Sequence, residues 1–399
     1  MDEYDFVIVG GGPAGSSTAI HLRQLLGNAP RILLVEQKQF PRQKLCGEFI
    51  SPECLDHFAK LNVRDSITQA GSSPLLQTIF YSAKGQKLQV PSAWFGASSG
   101  VALGLSRAEM DNILLDRARK AGVEVCENTQ ATGLIITDGR VVGIEARNAQ
   151  DKSKPIKFRS RLCIDASGRT RALARRISKS GNLRTQNQRA GLVAFKAHLS
   201  AAQVEDQNCE IYFYRGGYGG LNQIESGLFN LCFIVDAATA RSEKADAGQL
   251  MQKVVMQNVR ASETLSEARV ETPWIAVAID SFGQRDLAPA EGLLTVGDAA
   301  SFIDPFTGSG MLMALESGEV IAGTIARHME SNSKEINQRV LAAEYRAAYG
   351  AKFDRRLRFC SLLRRVAFAP QWTTHLIIHA LSLSGDGICR YLARATRGK

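Results

Sequence analysis

A parallel α/β fold, interrupted by an antiparallel sheet and followed by helices, is what this 399-residue sequence predicts. Three observations point there. Residues 6–9 read as a buried strand that runs into a glycine turn and then a helical pattern to about Gly27, the opening of a β–α–β unit. From about 189 to 236, short alternating strands are separated by glycine-rich turns, the pattern of an antiparallel sheet. An apolar strand at 293–296 then resumes the first pattern, and the periodicity is helical from Gly308 onward.

The elements between follow in order. Residues 31–36 form a second apolar strand. Ser51-Pro52-Glu53 opens a helix, with serine as N-cap and proline in the first helical position. Short strands are expected over 75–105, and Ser106 with Glu109 makes a capping box for a helix to about Ala121. Further strands fall near 123–127, 130–136, 140–147 and 161–165, with Gly122-Val-Glu-Val read as a hairpin. The segments sort into a discontinuous nucleotide-binding domain (1–75, 100–185 and 285–330), an inserted sheet domain (76–99 and 186–284) and basic helices over 331–399.

Composition narrows the class. With 45% hydrophobic and 22% charged residues the chain has enough apolar material for a packed core. No apolar run is long enough to span a bilayer, and the acidic start is unlike a signal peptide, so a cytoplasmic protein is expected. The eight cysteines include no Cys-x-x-Cys pair and no histidine at ligand spacing, which argues against a disulfide framework or a metal site. Of the net charge of +10, +9 lies in residues 339–399, where twelve Lys/Arg face only Glu344, Asp354 and Asp386. These cations alternate with Phe353, Leu357, Phe359, Leu362, Leu363, Val366, Phe368, Trp372, Leu376, Ile377 and Ile378. Such a segment either packs on its own domain or rests peripherally on an anionic membrane. No nucleic-acid-binding motif accompanies the charge.

Gly10-Gly11-Gly12-Pro13-Ala14-Gly15 follows the first strand and opens the first helix. Gly10 permits a tight turn, Gly12 lets the backbone approach a pyrophosphate, and Gly15 allows close helix–strand packing. A phosphate then lies on the helix N-terminus at Pro13 and Ala14. Glu36, with Gln37 beside it, ends the second strand 21 residues after Gly15. A carboxylate there accepts both ribose hydroxyls and repels the additional phosphate of NADP.

Two later segments complete the pattern. Cys163-Ile-Asp165-Ala-Ser-Gly168-Arg-Thr ends a strand in a second glycine turn, and Gly297-Asp298-Ala-Ala runs on to Asp304-Pro305-Phe-Thr-Gly308-Ser309-Gly310-Met311. With three motifs in this order over residues 4–320, the chain resembles the FAD-dependent superfamily of aromatic-ring hydroxylases, geranylgeranyl reductases and flavin-dependent halogenases. The resemblance implies a Rossmann-like FAD domain. In it Asp298, after Gly297, holds the ribityl chain, and Pro305 lies by the flavin ring. The turn Thr307-Gly308-Ser309-Gly310, leading into Met311, offers N–H groups to the pyrimidine end, where reduced flavin carries negative charge. It further implies that Asp165 and Gly168 support the nucleotide, Ala131 meets the adenine through its backbone, and Arg107 meets the phosphates or ribityl.

Phe40-Pro-Arg42-Gln-Lys44-Leu-Cys46-Gly47-Glu48 resembles a Pro-Arg-x-Lys-x-Cys-Gly segment that runs beside the flavin in geranylgeranyl reductases. Arg42 is then at the adenosine end and Gly47 against the ring. Cys46 either donates a proton there or is a small buried cysteine. Cys46, Pro305 and Gly308 are the residues expected nearest the chemistry. The strand around Tyr218-Gly-Gly220 lacks the tryptophan and proline that reductases direct to a lipid pocket. Halogenation is disfavoured, since no Trp-x-Trp-x-Ile-Pro segment is present.

Three functions compete. The first is an NAD(P)H-driven flavin monooxygenase hydroxylating a lipophilic or aromatic molecule, slightly preferred at this point. The second is reduction of carbon–carbon double bonds in a polyprenyl or other apolar substrate. The third is a non-catalytic lipid- or prenyl-binding protein, which the intact flavin motifs oppose. In the first two NAD(P)H is a transient reductant.

Overall fold

The computed structural model describes residues 2–150, 155–180, 191–279, 282–331 and 335–398. The first sheet has a parallel centre of β1 (Asp2–Val9), β2 (Ile32–Val35), β8 (Glu124–Cys126), β11 (Ile156–Asp165) and β19 (Leu293–Thr295). β9 (Thr129–Thr137) and β10 (Arg140–Asn148) extend it antiparallel, in the order β8-β2-β1-β11-β10-β9. β11 serves both arrangements. Its residues 156–159 pair antiparallel with β10, and its residues 163–165 pair parallel with β19. All four residues of β2 are buried, as expected of parallel strands covered on both faces.

Helices α1 (Pro13–Leu26), α4 (Arg107–Lys120) and α9 (Gly310–Ser331) cover one face. Their core joins Phe6, Ile8 and Leu34 to Ile20, Leu114 and Ile325. α2 (Pro52–Lys60), α3 (Arg64–Gln69) and α10 (Gln338–Ala367) enlarge this layer, while α5 (Ala174–Ser180) follows the second glycine turn. No helix among the described residues is long and apolar enough to cross a membrane.

The second sheet contains β5 (Gln77–Tyr81), β6 (Lys87–Pro91), β12 (Leu192–Ser200), β13 (Asn208–Tyr214), β14 (Gly217–Gln223), β15 (Phe229–Asp236), β16 (Arg269–Val270) and β17 (Ile275–Ile279). The order is β16-β12-β15-β14-β13-β5-β6, with β17 also on β12. It is antiparallel except that β5 and β13 run parallel. Successive side chains on a strand face opposite sides, so Tyr212, Tyr214, Leu221, Leu231 and Phe233 form one apolar face. The short helices α6 (Ala237–Ser242), α7 (Ala247–Lys253) and α8 (Val259–Thr264) cover it. The alternate set, including Ile211, Phe213, Tyr218 and Ile234, faces the first domain. Small sheets join the domains: β3 (Phe49–Ile50), β4 (Ser73–Leu75) and β7 (Ala102–Gly104), and β18 (Gly283–Gln284) with β20 (Ser301–Phe302). α11 (Gln371–Leu383) and α12 (Asp386–Ala395) follow α10.

Several local details differ from expectation. The capping box is half formed: Ser106 Oγ accepts from the Glu109 N–H at 3.2 Å, but the Ser106 N–H donates to Glu225 at 2.8 Å. Gly122 does not make a hairpin, since the strand after it pairs parallel with β2. The start of the strand run at 189–190, and the 185/186 segment boundary, lie outside the described residues.

Candidate active site

The carboxyl ends of β1, β2, β11 and β19 open on a cavity of about 930 Å³, whose opposite wall is the inward face of the second sheet. Ligands of open parallel sheets bind at such strand ends. The turn residues explain the shape. Gly10 has φ +113°, and a Cβ on it would stand 2.4 Å from the Ala166 carbonyl oxygen. A Cβ at Gly15 would stand 1.9 Å from the Gly10 carbonyl oxygen, so only glycine lets helix and strand approach this closely.

At one end of the cavity lie Glu36, Gln37, Thr129 and Ala131. Glu36 is buried and takes the Gly11 N–H at 2.8 Å and the Lys38 N–H at 3.0 Å, one on each carboxylate oxygen. Each oxygen has a further lone pair for a ligand hydroxyl.

Next along the cavity, Gly12 caps α1, with Pro13 and Ala14 in its first turn. A Cβ at Gly12 would stand 3.7 Å from Arg107 Nη2 and 3.8 Å from Arg42 Nη2. Arg107 donates twice to Asp111, each at 2.7 Å, and Arg42 once at 2.9 Å. Two guanidinium groups thus share one carboxylate and leave positive charge toward the cavity. Burial opposes the charge on Asp111, but Arg107, then Arg42 and Lys44, hold its carboxyl below the ordinary range. Lys44 opens into the cavity and is enclosed by it. Burial, then Arg107 and Arg42, push its ammonium below the usual lysine value. Asp298 lines the same region, and burial raises its carboxyl against the pull of Lys44, Arg169 and Arg107. Gly168 completes this stretch.

Pro305, Gly308, Gly310 and Met311 line the cavity where α9 begins. Cys46 and Gly47 come from the facing loop. Cys46 Sγ accepts from the Glu48 N–H at 3.4 Å, its carbonyl accepts from Asn230 at 3.2 Å, and its thiol is a neighbour of the Arg107 guanidinium. Beyond Cys46 the walls become apolar: Phe80, Ile211, Phe213, Ile234 and Phe306 meet Val366, Ile377 and Leu381 of the closing helices. Tyr218 stands among them, its hydroxyl 2.5 Å from Asp304. Burial, then Asp304, push this phenol well above its ordinary value.

Four expected site residues do not reach the cavity. Gly15 packs behind Gly10. Asp165 is buried and accepts from the N–H groups of Ser167, Leu173 and Ala174, so it shapes the second glycine turn from behind. Gly297 lies against Ala14, where a Cβ would come within 2.6 Å. Ser309 is buried, its hydroxyl on the carbonyls of Thr307 and Thr396.

The structure also places residues that the sequence did not single out. Glu48 is fully buried with φ +50°, a strained value for glutamate. Its carboxylate binds Lys196 Nζ at 2.5 Å, His198 Nε2 at 2.7 Å and the Arg107 N–H at 2.8 Å. Lys196 and His198 alternate along β12, a pattern that reads equally as a solvent face. Lys44 was visible within its motif, next to Arg42 and Cys46.

The residues present fit a flavin adenine dinucleotide. A carboxylate suits ribose hydroxyls. A helix N-terminus with Arg42, Lys44 and Arg107 around the bare face of Gly12 suits a pyrophosphate. A family model described as FAD binding domain matches residues 3–337. A digeranylgeranylglycerophospholipid reductase of Methanosarcina mazei is 27% identical over 332 residues, 82% of this chain and 75% of that protein. A geranylgeranyl bacteriochlorophyll reductase-like protein from Thermoplasma acidophilum superposes with a TM-score of 0.79 at 21% identity, over 100% of this chain and 97% of that one. The flavin-dependent brominase Bmp2 gives 0.79 at 19% identity, over 99% and 94%. Both structures show the shared fold.

Proposed function

Since the chain belongs to the FAD binding domain family and is an FAD-dependent oxidoreductase, we propose that it reduces carbon–carbon double bonds of a polyprenyl or similarly apolar substrate. The observation that carries the apolar substrate is the chamber that adjoins the cationic cradle past Cys46. A hydroxylase of lipophilic molecules would use the same chamber. The reductase similar over most of the chain moves double-bond reduction ahead of the hydroxylation preferred from sequence.

In this reading Glu36 takes the ribose of the adenosine half, and Gly12, Arg42, Lys44 and Arg107 take the pyrophosphate. Asp298 takes the ribityl chain, and Pro305 with Gly308 and Gly310 flanks the ring. Bound FAD, reduced by NAD(P)H from solution, supplies the hydride that such a reduction needs. The protein's part is to exclude water, align the double bond and provide the accompanying proton. Cys46 Sγ, at the junction of cradle and chamber, holds that proton. Its loop is fixed by the Glu48 cluster and by Asn230.

The outer face of the helices that close the chamber suits contact with a membrane-borne substrate. Trp372 and Leu383 are 68% and 74% exposed, and Leu362, Leu376, Ile388 and Tyr391 are also exposed. Arg358, Arg365, Arg390 and Arg394 share these helices and are exposed as well. The inner faces of the same helices line the chamber. Peripheral contact with an anionic lipid surface would cover this face and present the chamber to a lipid.

The test is product mass from the FAD-loaded protein with NAD(P)H and polyprenyl compounds, with and without oxygen. A gain of two hydrogens under nitrogen supports reduction. A gain of one oxygen, in air only, would establish the hydroxylase instead.

A further inference from the structure

The turn at the start of α9 has a cation built in behind it. Arg397, in the segment after α12, is 2% exposed. Its Nη1 donates to the Thr307 carbonyl at 2.9 Å and to the Ser309 hydroxyl. Its guanidinium lies 4.4 Å from the ring centre of Phe95, and its Nε is 3.3 Å from Glu53. The backbone is fixed too, since the Arg397 carbonyl accepts from Arg356 at 2.6 Å, and Arg356 pairs with Glu316.

This placement is costly. Removing a guanidinium from water has to be offset by excellent pairing, and the pairing here is incomplete. Among the described residues Arg397 Nη2 has no hydrogen-bond partner, and neither carboxylate oxygen of Glu53 has one. Nη2 lies 3.9 Å from where a Cβ at Gly308 would stand. Burial pushes the Arg397 guanidinium below its ordinary value against the pull of Glu53, but a guanidinium stays protonated in the working pH range, so the turn has a positive charge at its back. The N-terminus of the 22-residue helix α9 adds its own positive end at the same place.

We propose that Arg397 is a positioning residue of the flavin site. It fixes the turn Thr307–Gly310 through the Thr307 carbonyl and raises the potential felt at the pyrimidine end, so reduced, negatively charged flavin is held more tightly than oxidised flavin. Glu53 opposes this field and sets its size. The inference rests on the reading that this turn faces the pyrimidine end of bound FAD.

The experiment measures the midpoint potential of bound FAD, and the dissociation constant of oxidised FAD, in wild type, Arg397→Gln, Arg397→Lys and Glu53→Gln. The exposed Arg241→Gln, on α6, is the control. Arg397→Gln is expected to lose about tenfold in preference for reduced over oxidised FAD, a fall of about 30 mV for a two-electron couple. Arg397→Lys recovers part of the loss. Glu53→Gln moves the potential upward, a reversal of sign that a structural role would not produce and that remains readable if Arg397→Gln does not fold. Potentials equal to wild type in the Arg397 and Glu53 variants would overturn the proposal while leaving the FAD reading intact. A wild-type protein that binds no FAD would overturn both.

Discussion

Glu48 concentrates several consequences in one side chain. It links the loop of Cys46 to β12, holding Lys196, His198 and the first N–H of α4. Removing one partner of a buried charged cluster leaves the other unpaired, at a cost of about 3 kcal/mol or more. Lys196→Met is therefore expected to lower the melting temperature by several degrees and to loosen the Cys46 loop, read as a weaker FAD dissociation constant. Equal stability and affinity would remove the cluster from the account. Cys46→Ala carries a second prediction. It should cut double-bond reduction by about a hundredfold or more, the range of positioned acid catalysis, while FAD affinity changes little. An unchanged rate would assign the proton to another group. The local turn chemistry made Gly10, Gly12 and Glu36 legible in the sequence. Lys196 and His198 were not, because their meaning depends on Glu48, about 150 residues earlier.

Among the elements, β1, β2 and β19 were readable because buried parallel strands are short continuous apolar runs. The helices over 237–264 were not. Each has only six or seven residues, too few for a clear period, although Asp236, Asp246 and Asn258 cap them. Contacts between helices also fix a pH dependence. Glu319 on α9 meets His57 and Lys60 of α2. The His57 ring, 3.1 Å away, chiefly, with Lys60, holds its carboxyl at about 2 against an ordinary 4.5, although burial opposes the shift. A depressed carboxyl stabilises fully above its unfolded value and loses that contribution as pH falls from 4.5 toward 2. Glu319→Gln should therefore melt below wild type at pH 6, with the gap closing over that acid range. A gap independent of pH would contradict the assignment. The helices α10 to α12 carry their own test. Trp372→Ser with Leu376→Ser should abolish flotation with anionic liposomes and leave FAD content unchanged, and full retention would reject the membrane face.

At the scale of the whole molecule, the chain builds its first domain from separated segments and inserts the second sheet between them. The cavity follows from that interleaving. β1, β2, β11 and β19 bring their carboxyl ends together, and the inserted sheet supplies the facing wall. The motifs announced the nucleotide half of this cavity, because each glycine turn follows its own strand. The substrate half was hidden, since its walls are ordinary apolar residues whose common direction depends on sheet register and on helices far along the chain. Tyr218 and Gly220 look into the chamber for that reason, even though their strand departs from the expected tryptophan and proline. The mass of the product formed under nitrogen decides which chemistry the chamber serves. FAD-loaded protein given NAD(P)H and a polyprenyl substrate without oxygen is predicted to yield product heavier by two hydrogens. No product under nitrogen, with an oxygenated product in air, would contradict it.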